Sequence, residues 1–198
     1  NNRKKKIVFM FSGQGSQYFL MAKEVYLNNP FFQSIIDEGF KIITKLTGID
    51  YSIILGYTNS ETVNKELINN TFYTQPLLFL VEYAFAKLYI RLGVTPDSMI
   101  GHSLGEYVAA CISEVFSFED ALYVVTKRAE LMAKIEEGDM IGIGVNLAEI
   151  KPLLPKNVSI AAINTANSFV ASGTKKAISE FTEILGEYNI SYVPLKTS

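Results

Sequence analysis

The sharpest constraint in this sequence is five residues long. Gly101-His102-Ser103-Leu104-Gly105 follows the apolar pair Met99-Ile100 and runs straight into a helical pattern. A Gly-x-Ser-x-Gly spacing between strand and helix predicts a turn so tight that side chains at the flanking positions would clash, so glycine stands at both. Ser103 is then thrust out at the helix N-terminus, where backbone N–H groups and the helix dipole favour a developing negative charge. That is a nucleophile's position. Taken alone the pattern is weak, because short glycine motifs recur by chance, and a purely structural turn is the plainer alternative. His102 is the single histidine. Sequence neighbours do not face each other, so it reads as a half-buried support for the turn and not as the base a serine needs.

The segments around the turn are of the same kind. Ile7-Val8-Phe9-Met10-Phe11 is apolar at every position and predicts a parallel strand buried on both faces, ended by Ser12-Gly13-Gln14-Gly15-Ser16. Helical spacing follows over 19–27, 31–46 and 60–69. Gln75-Pro76 opens a long helix, with proline in its first turn and Gly93 as its stop. Ser117 caps a further amphipathic helix over 118–135, with Asp120 three residues on. Beyond Gly138 the predicted order is β-α-β-β-α-β, the split pattern of a ferredoxin-like unit. The expected division is therefore 1–138, the N-terminal portion of a large α/β subdomain with a parallel sheet flanked by helices, and 139–198, a small ferredoxin-like subdomain.

Composition excludes several classes. The chain has 198 residues, 48% hydrophobic and 19% charged, an ordinary globular balance. Its formal charge of −2 offers no basic excess for nucleic acid. The short run Arg3-Lys4-Lys5-Lys6 reads as a solvated lead-in. The most apolar stretch, 77–90, is broken by Glu82 and Lys87 and does not span a bilayer. With no signal peptide and a single cysteine, Cys111, the expectation is a cytoplasmic chain without a disulfide or a membrane partner. One histidine and one cysteine lack the spacing of metal ligands, so no metal is expected. Gly13-Gln14-Gly15 is no dinucleotide loop, because Tyr18 stands where the third glycine belongs. Arg128 on the 118–135 helix has two readings: a solvated surface residue, or a fork held for a carboxylate.

Taken together, the motifs resemble malonyl-CoA:acyl carrier protein transacylases, most closely the acyltransferase domains of polyketide synthases. The likeness rests on Phe9-Met10-Phe11-Ser12-Gly13-Gln14-Gly15-Ser16-Gln17, Thr74-Gln75-Pro76, Gly101-His102-Ser103-Leu104-Gly105-Glu106-Tyr107 and Lys127-Arg128-Ala129-Glu130-Leu131-Met132. In the small subdomain it rests on Ile160-Ala161-Ala162-Ile163-Asn164 and Val170-Ala171-Ser172-Gly173. The resemblance implies an α/β-hydrolase-like large subdomain with a ferredoxin-like insert. It implies Ser103 as the acyl-accepting nucleophile and the backbone N–H groups of Gln14 and Leu104 as the oxyanion hole. Arg128 would pair with the free carboxylate of a malonyl group, and His102, Gln75 and Asn164 would support the site. The family's catalytic histidine follows the small subdomain's last strand, where this sequence reaches Thr197-Ser198, so the C-terminal part of the large subdomain and the base are expected to be missing. Two positions depart from the pattern. Ser12 stands where proline is common and looks harmless, and Ala129 stands where glycine is common.

The implied activity is transfer of a malonyl group from coenzyme A to the phosphopantetheine thiol of an acyl carrier protein, in polyketide or fatty acid synthesis. No cofactor beyond the substrate's own coenzyme A is expected, the phosphopantetheine belonging to the carrier. The implied partners are malonyl-CoA, an acyl carrier protein, and ketosynthase and other synthase domains. Leu104 after the serine leans towards malonyl over methylmalonyl. The alternatives are a catalytically incomplete fragment or docking domain, and a serine hydrolase, which would need an acidic triad member.

Overall fold

The computed structural model describes residues 5–58 and 64–195. The chain divides into two compact units, 1–134 and 135–198, each with its own apolar core. The expected boundary residue, Gly138, is the first residue of a strand in the second unit.

In the first unit, β1 (Val8–Phe11) runs parallel to β2 (Ser98–Gly101), with Phe11 opposite Gly101. Alternation along a strand sends successive side chains to opposite faces. Phe11 is buried and Phe9 packs edge-on against Tyr89, whereas Val8 and Met10 are 50% and 79% exposed. The expected burial of β1 on both faces is therefore corrected. Its second face carries no cover among the described residues, and Ile100 of β2 is exposed with it.

Helices pack the covered face. α1 (Lys23–Asn28) leads into α2 (Pro30–Thr47), which starts where the Asn29 side chain accepts from Phe32 N at 3.0 Å and stops at Gly48. α2 buries Phe32, Ile36, Phe40 and Ile43, a three-to-four-residue stripe. α3 (Tyr51–Leu55) is a short helix that no periodicity announced. The stretch expected to be helical over 60–69 lies partly outside the described residues, and 65–69 forms a 3-10 turn.

α4 (Thr71–Arg91) is the central element, buried on nearly all sides over its first half. It begins four residues before the expected start, because Asn70 caps it by accepting from Phe72 N at 2.9 Å. Pro76 consequently sits inside the helix, where it provides no N–H for the Phe72 carbonyl. The Tyr51 hydroxyl donates to that carbonyl at 3.0 Å and supplies the missing partner. α5 (Gly105–Ile112) and α6 (Phe118–Met132) complete the unit. α6 has the predicted cap: Asp120 N donates to Ser117 Oγ at 3.1 Å, and Ser117 Oγ donates back to Asp120 Oδ2 at 2.7 Å.

The second unit has the predicted order: β3 (Gly138–Ile143), α7 (Leu147–Ile150), β4 (Val158–Thr165), β5 (Ser168–Thr174), α8 (Lys175–Glu187) and β6 (Tyr192–Leu195). The strands form an antiparallel sheet in the order β4-β5-β3-β6, the split arrangement in which β5 enters between β3 and β4. Ile141, Ile143, Phe169 and Ala171 share one face, and Ala177, Ile178, Phe181 and Leu185 of α8 cover it. No helix among the described residues is long and apolar enough to cross a membrane.

Candidate active site

Strand β2 ends against a turn that only glycine can line. A Cβ on Gly101 would stand 2.1 Å from Glu106 N, and one on Gly105 would stand 2.4 Å from the Phe11 carbonyl oxygen. Both contacts are with backbone, which cannot give way. His102 N donates to Phe11 O at 3.0 Å, tying the turn to β1, and Gly105 N and Glu106 N donate back to His102 O and Ser103 O to start α5. Between them Ser103 is held at φ 52°, a left-handed conformation unusual for a residue with a Cβ. Its side chain is exposed, while Leu104 beside it is buried.

The glycine-rich loop after β1 reaches the same place. A Cβ on Gly13 would lie 2.8 Å from His102 Nδ1 and 3.4 Å from Ser103 Cβ, so loop and turn are in direct apposition. His102 is exposed there and not half-buried as expected, because the tight turn points its ring outward, across Gly13. Ser12 anchors the loop. Its N–H donates to Glu82 Oε1 at 2.9 Å and its hydroxyl donates to the same oxygen. A proline at this position would have neither donor, so Ser12 is an engaged residue and not a neutral substitution. Glu82 Oε2 is buried without a hydrogen-bond partner among the described residues. Burial pushes the Glu82 carboxyl above its ordinary value, partly offset by the Ser12 bonds.

Arg128 is half-buried on α6, with its guanidinium over the Tyr107 ring at 5.7 Å. It donates to Oε1 of Gln75, which is fully buried on α4. Gln75 Nε2 donates to Thr71 Oγ1 at 2.6 Å, and Thr71 Oγ1 donates to Gln14 Oε1 at 3.0 Å. Of the two sequence readings, the solvated surface arginine is set aside. Ala129 is wholly buried, so its methyl is accommodated.

Ser103, His102, Leu104, Gln14, Gln75 and Arg128 thus belong to one unit, whereas Asn164 lies exposed on β4 of the other. The sequence reading missed Thr71, Tyr107 and Glu82. Thr71 was legible in principle, since it precedes Gln75 by one helical turn and follows a capping asparagine.

Two further features are chemically quiet. Cys111 is buried, which pushes its thiol up to about 11 and keeps it protonated at neutral pH. An apolar cleft of about 350 Å³ opens beside β1, lined by Val8, Met10, Phe85 and Tyr89 with Glu82, but neither Ser103 nor Arg128 lines it. No group of three or more His, Cys, Asp or Glu side chains among the described residues could hold a metal ion.

Residues 8–193 match the family described as the acyl transferase domain, and the chain belongs to that family. It is 34% identical over 196 residues to the polyketide biosynthesis acyltransferase homolog BaeD of Bacillus velezensis, covering 97% of this chain and 60% of that protein. Among solved structures, the acyl transferase domain of ZmaA superposes with a TM-score of 0.90 at 36% identity, over 99% of this chain and 47% of that one. The MCAT of Streptococcus pneumoniae superposes with a TM-score of 0.80 at 30% identity, over 98% of this chain and 63% of that one. The chain therefore spans less than two thirds of the length of these relatives. The α/β first unit and ferredoxin-like second unit expected from the sequence agree with that family.

Proposed function

We propose that this chain carries the acyl-accepting half of an acyltransferase that moves a malonyl-type group from coenzyme A to the phosphopantetheine thiol of an acyl carrier protein. The observation that carries the reading is Ser103, presented in a left-handed conformation at the mouth of α5 with the Gly13 loop against it. The Ser103 hydroxyl attacks the thioester carbonyl, and an ester to Oγ forms as the C–S bond breaks. The coenzyme A thiolate leaves and takes up the proton that the serine lost. The carrier thiol then attacks the ester, restoring the serine hydroxyl. Both steps pass through an oxyanion, which the backbone N–H groups of Gln14 and Leu104 are assigned to stabilise. Arg128 reads the distal carboxylate, since its fork matches that group with two parallel bonds.

We infer that the base lies in the part of the domain that the relatives have and this sequence does not span. His102 is the single histidine and adjoins the serine it would have to serve. The experiment is mass spectrometry of the full-length protein after exposure to malonyl-CoA, with peptide mapping of the acylated residue. A malonyl adduct on Ser103 that Ser103→Ala abolishes is expected. An adduct on another residue, or hydrolysis of malonyl-CoA at the same rate with and without carrier protein, overturns the reading.

A further inference from the structure

The two ends of the candidate site are joined by one directed run of hydrogen bonds. It passes from Arg128 Nη1 to Gln75 Oε1, from Gln75 Nε2 to Thr71 Oγ1, and from Thr71 Oγ1 to Gln14 Oε1. The direction is forced. A guanidinium has donors and no acceptor, so Gln75 must turn its carbonyl to Arg128 and its NH2 to Thr71. The Thr71 hydroxyl, having accepted that bond, has a single proton and gives it to the Gln14 carbonyl. Gln75 and Thr71 are 0% and 4% exposed, so water offers little substitute for either link. Both sit on α4, four residues apart, and share a face.

We propose that Thr71 is a positioning residue that couples carboxylate recognition at Arg128 to the oxyanion loop at Gln14. The inference rests on the acyl-transfer reading above. A carboxylate paired to Arg128 fixes the guanidinium, and through Gln75 and Thr71 it fixes the Gln14 side chain and the loop whose backbone N–H faces the developing charge. An acyl group without a carboxylate leaves the first link of the run looser. Thr71 thus contributes to the rate with malonyl and little to the rate with acetyl, without touching either substrate.

The test compares acylation of the full-length wild type, Thr71→Val and Thr71→Ser by malonyl-CoA and by acetyl-CoA. Valine keeps the shape and removes the hydroxyl; serine restores the hydroxyl. Thr71→Val is expected to lower kcat for malonyl about five- to thirtyfold with KM nearly unchanged, the size of one lost buried hydrogen bond expressed in the transition state. The acetyl rate should stay within about twofold, and Thr71→Ser should return malonyl turnover to within about twofold of wild type. Equal losses for the two substrates, or no loss for either, overturn the coupling. Should Thr71→Val not fold, Thr71→Ala removes the same hydroxyl with a smaller side chain and must show the same malonyl-selective loss. A wild type that takes up no malonyl on Ser103 brings down the acyl-transfer reading and this inference together. An active wild type with an indifferent Thr71→Val brings down the coupling alone.

Discussion

A guanidinium bonded to one buried amide still has most of its five donors to offer, and Arg128 is in that condition: half-buried, steadied by Gln75 and by the Tyr107 ring. A charge-assisted bidentate pair in such surroundings is worth about 1.5–3 kcal/mol, or roughly ten- to a hundredfold in rate. Arg128→Ala should therefore lower kcat/KM for malonyl-CoA by that factor and leave acetyl-CoA nearly unchanged, while Arg128→Lys, a point charge on a flexible stem, should recover only part. Steady-state kinetics on the full-length protein with both thioesters decide this. Equal losses would mean that Arg128 supports the fold and not the substrate. Ser103 and Arg128 were both legible in the sequence, one from its two glycines and the other from a resemblance. Thr71 went unread although its spacing could have shown it, because placing Pro76 in a first turn put the helix start at Gln75 and left Thr71 outside it.

At the scale of elements, α4 explains where sequence reasoning erred. Proline reads as a helix opener because the first turn does not need its missing N–H, and Asn70 is an equally good signal for a start four residues earlier, at Thr71. Asn70 prevails because a tertiary contact, the Tyr51 hydroxyl on the Phe72 carbonyl, compensates for proline further in. No local pattern announces a partner twenty-one residues upstream. Tyr51→Phe should accordingly destabilise the protein by about 1 kcal/mol, since it leaves a partly buried carbonyl short of a donor. Adding Pro76→Ala, which restores the helical N–H, should recover much of that loss. Urea unfolding of the two single variants and the double variant measures the coupling, and strictly additive effects would refute the compensation. β1 shows the opposite limit: an all-apolar run predicts two covered faces, yet only the Phe9–Phe11 face is covered among the described residues.

For the molecule as a whole, the layer plan was legible because each unit's hydrophobic periodicity matches its own core: the α2 stripe in the first, and the alternation of β3 and β5 against α8 in the second. Electrostatics inside the first core were not legible, since Glu82 sits in an otherwise apolar helical run and gives no sign in sequence of its buried oxygen. Desolvation raises its carboxyl, so folding favours the protonated form, with the Ser12 bonds pulling the other way. The contribution is fully present below the ordinary carboxylate value and is lost as pH rises through the raised one. Glu82→Gln does not titrate, so the stability of the wild type relative to this variant should decline across that window. Chemical denaturation at a series of pH values tests the sign, and parallel curves for the two proteins would show that Glu82 is not desolvated.

The left-handed backbone at Ser103 has a consequence for inheritance. Residues with a Cβ resist that conformation by about 1 kcal/mol relative to glycine. Ser103→Gly should thus melt higher than Ser103→Ala, although both variants lose the hydroxyl, and calorimetry on the pair would show it. A lineage filtered only for heat resistance would drift to glycine at this position and lose its chemistry on the way. The serine at position 103 is a small standing handicap to the fold, of the kind that persists only where something other than durability is being selected.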